Sequence, residues 1–455
     1  MRSGSILLSL LLTLTFMAGF SQATEIDPAY AELKNEARHI TESLVKGDYK
    51  EARRKFNSQM QQALPPAKLK VTWQGLATGS GGFIETGQAE ISRYSGYIII
   101  EQPILFEHSA LIQRTVFGQD NLVAGLMFIP HKTAGTACRL PAGLEELEVE
   151  IESQPNRPLK GTLTKPAGQN KAAVIIIHGS GPIDRDGSLG ANKPYRDMAH
   201  KLAQKGLAVI RYDKMTYTYR SEAAQNPKPT VDEEIVTDIV NVGKWLRKQE
   251  GLETGKIFLM GHSFSGSLLS YADTKGAGAA GYIIWSGTPA NLFSIIQRQN
   301  EALFAEMAAA GNRAEKEKAF LAAEAEMAKA MRLPQMREDE LLSQSIFGIP
   351  GWYWKHLAAI DPVRLHLADG KPVLIIHGGR DRQVFMEDFQ AWQTGLGGHP
   401  KASFILYDNL NHILGNYQGG QVPFSQLVSV EYARETPIPD YVTDDIYNWI
   451  AGQCK

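Results

Sequence analysis

Cysteine is scarce in this chain of 455 residues, with only Cys138 and Cys454 present. Two thiols cannot build a zinc ribbon or a multi-disulfide scaffold. Cys-x-x-Cys and His-x-x-x-His spacings are also missing, as is any dinucleotide- or phosphate-binding glycine loop. No metal and no cofactor are therefore expected. An excess of one charge is lacking too, since 47 Lys and Arg against 49 Asp and Glu leave a net charge of −2. Without a basic field, neither nucleic acid nor an anionic membrane surface is an expected partner. Long apolar runs are confined to the start, where Arg2 precedes the stretch from Ile6 to Phe20. That run is shorter than the roughly 20 residues needed to span a bilayer. Ser21-Gln22-Ala23 follows it as a small-x-small cleavage signal. Residues 1–23 are thus expected to be a signal peptide, with a soluble mature protein starting near Thr24 in the periplasm or outside the cell. In such an oxidising compartment Cys138 and Cys454 either pair or stay as buried thiols, and pairing is the expectation adopted.

The remaining composition, 43% hydrophobic and 21% charged, is that of a globular protein with a large core. Its length exceeds one ordinary domain. Apolar residues recur at helical spacing at Leu33, Ala37, Ile40 and Leu44, then again at Ala52, Phe56, Met60 and Leu64, with "KGDY" between. A third helix is expected after Pro65-Pro66. The strand-like runs "YIIIEQPILFE", "ALIQRTVF" and "LVAGLMFI" complete a small α+β domain over 24–130. The Pro/Gly-rich segment 131–144 reads as a linker. From 145 to 455, continuous Val/Ile/Leu strands alternate with helices, which predicts a mostly parallel sheet covered on both faces. A helix-favouring insertion at about 290–360, rich in Ala, Glu, Met and Lys, interrupts this pattern and is expected to lie over the ligand-binding edge as a lid.

The segment "KIFLMGHSFSGSLLS" carries the chemistry. A serine hydroxyl needs a base to become a nucleophile, and a tight strand-to-helix turn between small residues lifts it clear of the sheet. Gly261-x-Ser263-x-Ser265 fits that turn, with Ser where glycine is usual at the last position. Ser263 is preferred over Ser265 because the apolar strand ends at Met260. The acid and base should follow at later strand ends, acid first. "LIIHGGRD" supplies Asp381 and "ILYDNLNH" supplies His412. Oxyanion donors are expected from the backbone of Ser180, in "HGSG", and of Phe264. His178 reads as a structural loop residue. Asp184, Arg185 and Asp186 read as substrate ligands or as an ion-paired surface turn. Trp352, Tyr353 and Trp354 are candidates for an apolar wall of the substrate site, or for stapling the insertion to the core.

The segments "HGSGPIDRDG", "NKPYRDMAHKLAQKGLAVIRYDK", "GHSFSG", "HGGRDRQV" and "NLNH" resemble a secreted α/β-hydrolase family of carboxylesterases. That family is related to dienelactone hydrolases and to bile-acid-CoA:amino-acid acyltransferase-type acyl hydrolases. "LVKGDYKEARRKFNSQMQQALPPAKLKVTW" resembles the uncharacterised domain that often precedes such hydrolases. The resemblance implies an α/β-hydrolase fold with Ser263, Asp381 and His412 as nucleophile, acid and base. It implies a serine esterase acting on a small-molecule ester. A thioesterase, acyltransferase or aminopeptidase would use the same triad, and a non-catalytic ligand-binding protein would keep the same fold.

Overall fold

The computed structural model describes residues 21–22, 28–77, 82–94, 97–106, 110–130, 140–168, 170, 172–249, 252, 256–309 and 313–454. The expected cleavage region, apart from 21–22, and the Cys138 half of the expected disulfide lie outside the described residues. Two compact units result, one ending at residue 139 and a larger one from residue 140 onward.

In the first unit, α1 (Pro28–Lys46) buries the stripe Leu33, Ala37, Ile40 and Leu44. That stripe joins a core built with an antiparallel sheet of β1 (Phe83–Thr86), β2 (Glu90–Tyr94), β3 (Tyr97–Phe106), β4 (Ala110–Phe117) and β5 (Val123–Pro130). The order is β2-β3-β4-β5, with β1 also on β3 and Ser21–Gln22 along β2. A buried polar tie fixes α1: Gln113 Nε2 donates to Ala37 O at 2.7 Å, and Thr41 Oγ1 donates to Gln113 Oε1 at 2.6 Å.

The pattern Ala52–Leu64 predicts one helix, yet the structure breaks it into a turn at Glu51–Arg53 and α2 (Ser58–Ala63). Strand β5 claims the backbone in between. Asn57 N donates to Val123 O at 3.0 Å, and Val123 N donates to Lys55 O at 2.7 Å. Asn57 then caps α2 by accepting the Met60 N–H. A tertiary pairing outcompetes the local period here. Helix α3 (Pro66–Ala77) follows the Pro pair.

The larger unit is an eight-stranded sheet made of β6 (Leu144–Gln154), β7 (Arg157–Pro166), β8 (Ala173–Ile177), β9 (Ala208–Tyr212), β10 (Ile257–His262), β11 (Gly281–Trp285), β12 (Val373–Gly378) and β13 (Ala402–Tyr407). The spatial order is β13-β12-β11-β10-β8-β9-β7-β6, and all pairs are parallel except those made by β7. Each residue of β8 through β12 is buried, as strands covered on both faces must be. Alternation along β8 shows it: Ile175 and Ile177 enter one core, Val174 and Ile176 the other. Helices α4 (Pro194–Gln204) and α12 (Asp440–Gln453) cover one face. Helices α5 (Thr237–Leu246), α6 (Leu269–Thr274) and α11 (Met386–Leu396) cover the other. The insertion contributes α7 (Leu292–Ala309), α8 (Arg313–Arg332) and α9 (Gly351–Ala358), and α10 (Pro362–Asp369) leads back to the sheet.

Strand β8 lies between β9 and β10, so the chain leaves it to opposite sides. Ligands of open α/β sheets bind at such a switch point, outside the strand carboxyl ends.

Candidate active site

Ser263 is the first residue after β10 and has a φ of +57°. An L-residue in this left-handed region is strained and persists only where its surroundings hold it. Gly261 makes the turn sterically possible, because a Cβ there would lie 2.8 Å from Leu269 Cδ2 and 2.9 Å from Gly266 N. Within 261–270, Ser263 alone keeps partial exposure. Ser265 is fully buried, and its hydroxyl reaches Ile177 O and His262 O, each at 3.1 Å. The serine in place of the usual glycine therefore ties the turn to the end of β8, and its oxygen faces no solvent.

Asp381 follows β12 and His412 follows β13. His412 Nδ1 lies 2.6 Å from Asp381 Oδ2, and both residues are buried. The other oxygen, Oδ1, accepts the N–H groups of Gln383 (2.8 Å) and Val384 (3.0 Å). A carboxylate anchored in this way holds the proton on Nδ1 and leaves Nε2 as the basic nitrogen. The two loops meet only because Gly378 has no side chain: a Cβ there would sit 2.3 Å from Leu410 O and 2.5 Å from Asn411 O.

The serine turn and the His412 loop are joined through His262, whose Nε2 lies 3.2 Å from His412 O. Tyr195 Oη lies 2.9 Å from His262 Nδ1 and accepts the Gly179 N–H at 3.2 Å. One proton arrangement satisfies all three bonds: Gly179 N–H to Tyr195 Oη, Tyr195 O–H to Nδ1, and Nε2–H to His412 O. Burial, with His412 beside it, holds His262 well below its usual pKa and so neutral, as this chain of bonds requires. Sequence reasoning passed over both residues, and the 67 residues separating Tyr195 from His262 leave no local signal. The Ser263 hydroxyl forms no hydrogen bond among the described residues. Bonds from nucleophile to base are often made only once substrate is bound.

The loop after β8 presses on the turn, since a Cβ on Gly179 would stand 3.2 Å from Ser263 Cβ. The two expected oxyanion donors are the chain neighbours of this contact, Ser180 following Gly179 and Phe264 following Ser263. His178 points its ring at Tyr212 O at 2.5 Å, and burial together with nearby Lys214 pushes its pKa to about 3. Arg185 forks onto Asp213 (3.3 and 3.0 Å) and reaches Glu148 at 2.5 Å. Asp186 pairs with Arg211 and Lys193, and Asp184 accepts the Ser188 N–H. This charged turn is thus held within the fold.

The three aromatics of the insertion separate. Trp354 stacks on Phe293 at 4.1 Å and donates to Ile346 O. With Phe264, Leu268, Leu292 and Leu357 it lines a mainly apolar cavity whose walls include neither Ser263 nor His412. Tyr353 is buried with its hydroxyl on Glu234 at 2.6 Å, and Trp352 sits under Lys228 Nζ at 4.7 Å. Neither lines that cavity. Cys454 ends α12, partly buried against the core.

Residues 37–126 match a family model described as a protein of unknown function, DUF3887. The chain is 25% identical over 422 residues to Esterase EstD of Thermotoga maritima, covering 92% of this chain and 96% of that protein. Among solved structures, the Pyrococcus furiosus esterase Pf2001 is 14% identical, with 72% of this chain and 98% of that one covered at a TM-score of 0.42. Est1E from Butyrivibrio proteoclasticus is 16% identical, with 67% and 98% covered at a TM-score of 0.40. The strand order and the strained turn at Ser263 give the larger unit an α/β-hydrolase fold, in a chain that matches DUF3887 over residues 37–126 and is similar over nearly its whole length to an esterase.

Proposed function

We propose that this protein, a carboxylesterase-type hydrolase, cleaves small carboxylic esters by a covalent acyl-enzyme route. The observation that carries this reading is the 2.6 Å Asp381–His412 bond on loops bonded to a turn that presents a strained, partly exposed Ser263. His412 Nε2 takes the Ser263 proton as Oγ attacks the ester carbonyl, and Asp381 stabilises the imidazolium formed. The N–H groups of Ser180 and Phe264 receive the oxyanion. His412 then protonates the leaving alcohol, and water activated by the same nitrogen releases the acid. The insertion acts as a lid limiting substrate size, with Trp354 as part of its apolar wall. Export, directed by residues 1–23, belongs to the same reading and predicts a mature N-terminus near Thr24 on N-terminal sequencing.

The test is a panel of p-nitrophenyl esters of graded chain length, with aminoacyl anilides and thioesters alongside, and labelling by a fluorophosphonate probe. Ester turnover and a label on Ser263 are expected. Preferred turnover of anilides or thioesters would reassign the substrate class, and absence of both label and turnover would leave a binding protein.

A further inference from the structure

We propose that Lys214 is a positioning residue for catalysis: it fixes the loop that carries Ser180, and the insertion sets it through Tyr353 and Glu234. The proposal rests on the reading of Ser180 N–H as an oxyanion donor. Lys214 follows β9 and is only 1% exposed. Its ammonium has three protons, and three acceptors meet it: Gly179 O at 3.0 Å, Gly181 O at 3.0 Å and Glu234 Oε1 at 2.5 Å. The two carbonyls belong to the residues on either side of Ser180. Gly179 O shares its peptide plane with the Ser180 N–H, so holding it orients that N–H, while holding Gly181 O anchors the chain just beyond, at the Gly181–Pro182 peptide.

The grip extends beyond one side chain. Tyr212 O meets His178, Asp213 holds Arg185, and Lys214 N donates to Ile183 O at 3.2 Å. Three successive residues at the end of β9 thus hold loop 178–185 at intervals along its length. Glu234 balances the buried cation, and its second oxygen accepts the Tyr353 hydroxyl from α9 at 2.6 Å. Tyr353 is therefore the physical link between the insertion and the oxyanion loop.

A buried ion pair is weak evidence for stability, since apolar replacement of both partners is often neutral. A geometric duty accounts for keeping this one, because backbone donors aimed at a developing oxyanion lose their effect when displaced by a fraction of an ångström. The measurement compares Lys214→Met, Tyr353→Phe and the double variant Lys214→Met/Glu234→Leu, with full-length protein and one short-chain ester. Lys214→Met should lower kcat about 10- to 100-fold with KM within about threefold, the mark of an interaction made in the transition state. Affinity for a boronic acid, which forms a tetrahedral adduct, should fall in parallel. Tyr353→Phe should lower kcat about threefold to tenfold in the same manner. The double variant removes the stranded charge, so its Tm should recover while kcat stays low. Recovery of kcat with Tm in the double variant, or a folded Lys214→Met with wild-type kcat, would overturn the proposal. A wild-type protein without ester turnover would instead overturn the parent reading before any variant is compared.

Discussion

The loops at the carboxyl edge of the sheet and the insertion between β11 and β12 are built on opposite plans. Around Ser263, hydrogen bonds among buried polar groups and close backbone approaches fix position: Tyr195 to His262, Ser265 to Ile177, Gly378 against Leu410. In the insertion, α8 meets α7 through a small cluster of Phe304, Ala319 and Ala323, with Met307 beside it. Large apolar side chains on α8 face outward, Leu321 at 60% and Met331 at 78% exposure. The insertion is secured nearer its ends, where Arg298 reaches Asp388 at 2.5 Å, Gln299 bonds Gln383 O at 2.8 Å, and Trp354 stacks on Phe293. Directional bonds in a dry interior hold atoms to fractions of an ångström. A thinly packed helix pair with anchored ends adjusts more easily. The first region suits chemistry and the second suits selection of substrate.

The comparison breaks outright if Ser263 is dispensable. Ser263→Ala should lower ester turnover by about 10³-fold or more with an unchanged Tm, and His412→Ala should do nearly the same. The double variant should be no worse than either, because nucleophile and base act as a unit. Asp381→Asn should retain more activity, since the base survives without its orienting carboxylate.

A second prediction probes the rigid side through pH. Burial raises the carboxyl of Asp238 to about 7 from the ordinary 3.8; Ser153 donates to Oδ1, and Oδ2 has no partner among the described residues. The folded state then binds a proton that the unfolded state has released. Stability from this group is present below about pH 4 and lost as pH rises through 7, by up to about 4 kcal/mol. Asp238→Asn should flatten that decline in urea titrations at pH 5 and pH 8. An unchanged slope would show that Asp238 is ionised in the fold.

Arg298→Ala tests the anchored end of the insertion. Asp388 keeps its bonds from Thr288 and Phe385 N, so about 1–3 kcal/mol of stability should be lost. Long-chain esters should gain relative to short ones, by a few-fold in kcat/KM, while kcat on the shortest ester holds. An unaltered chain-length profile would remove the lid role. The smallest effect is expected for Ser265→Ala, about 1 kcal/mol of stability and turnover within a few-fold of wild type. Loss of turnover there with Ser263→Ala still active would move the nucleophile to Ser265.

Much of this protein was determined by local sequence. Apolar runs of five or six residues between helical stretches specify buried parallel strands, and a reactive residue just past a strand must lie at the carboxyl edge. On that ground Ser263, Asp381 and His412 were expected past successive strand ends, and each follows its strand in that order. Tertiary structure alone decided which polar groups meet. The helical period through Phe56 gave way to pairing with Val123, because backbone bonds to a neighbouring strand outweigh a short local preference. Nothing local in "DK" after β9 marks a partner, yet Lys214 holds carbonyls 33 and 35 residues earlier in the chain. Tyr353, one of three adjacent aromatics, is distinguished only by a carboxylate 119 residues away. Periodicity records which face of an element is buried. It carries no record of the partner across the core, since a hydrogen bond depends on distance and direction that only the folded chain supplies.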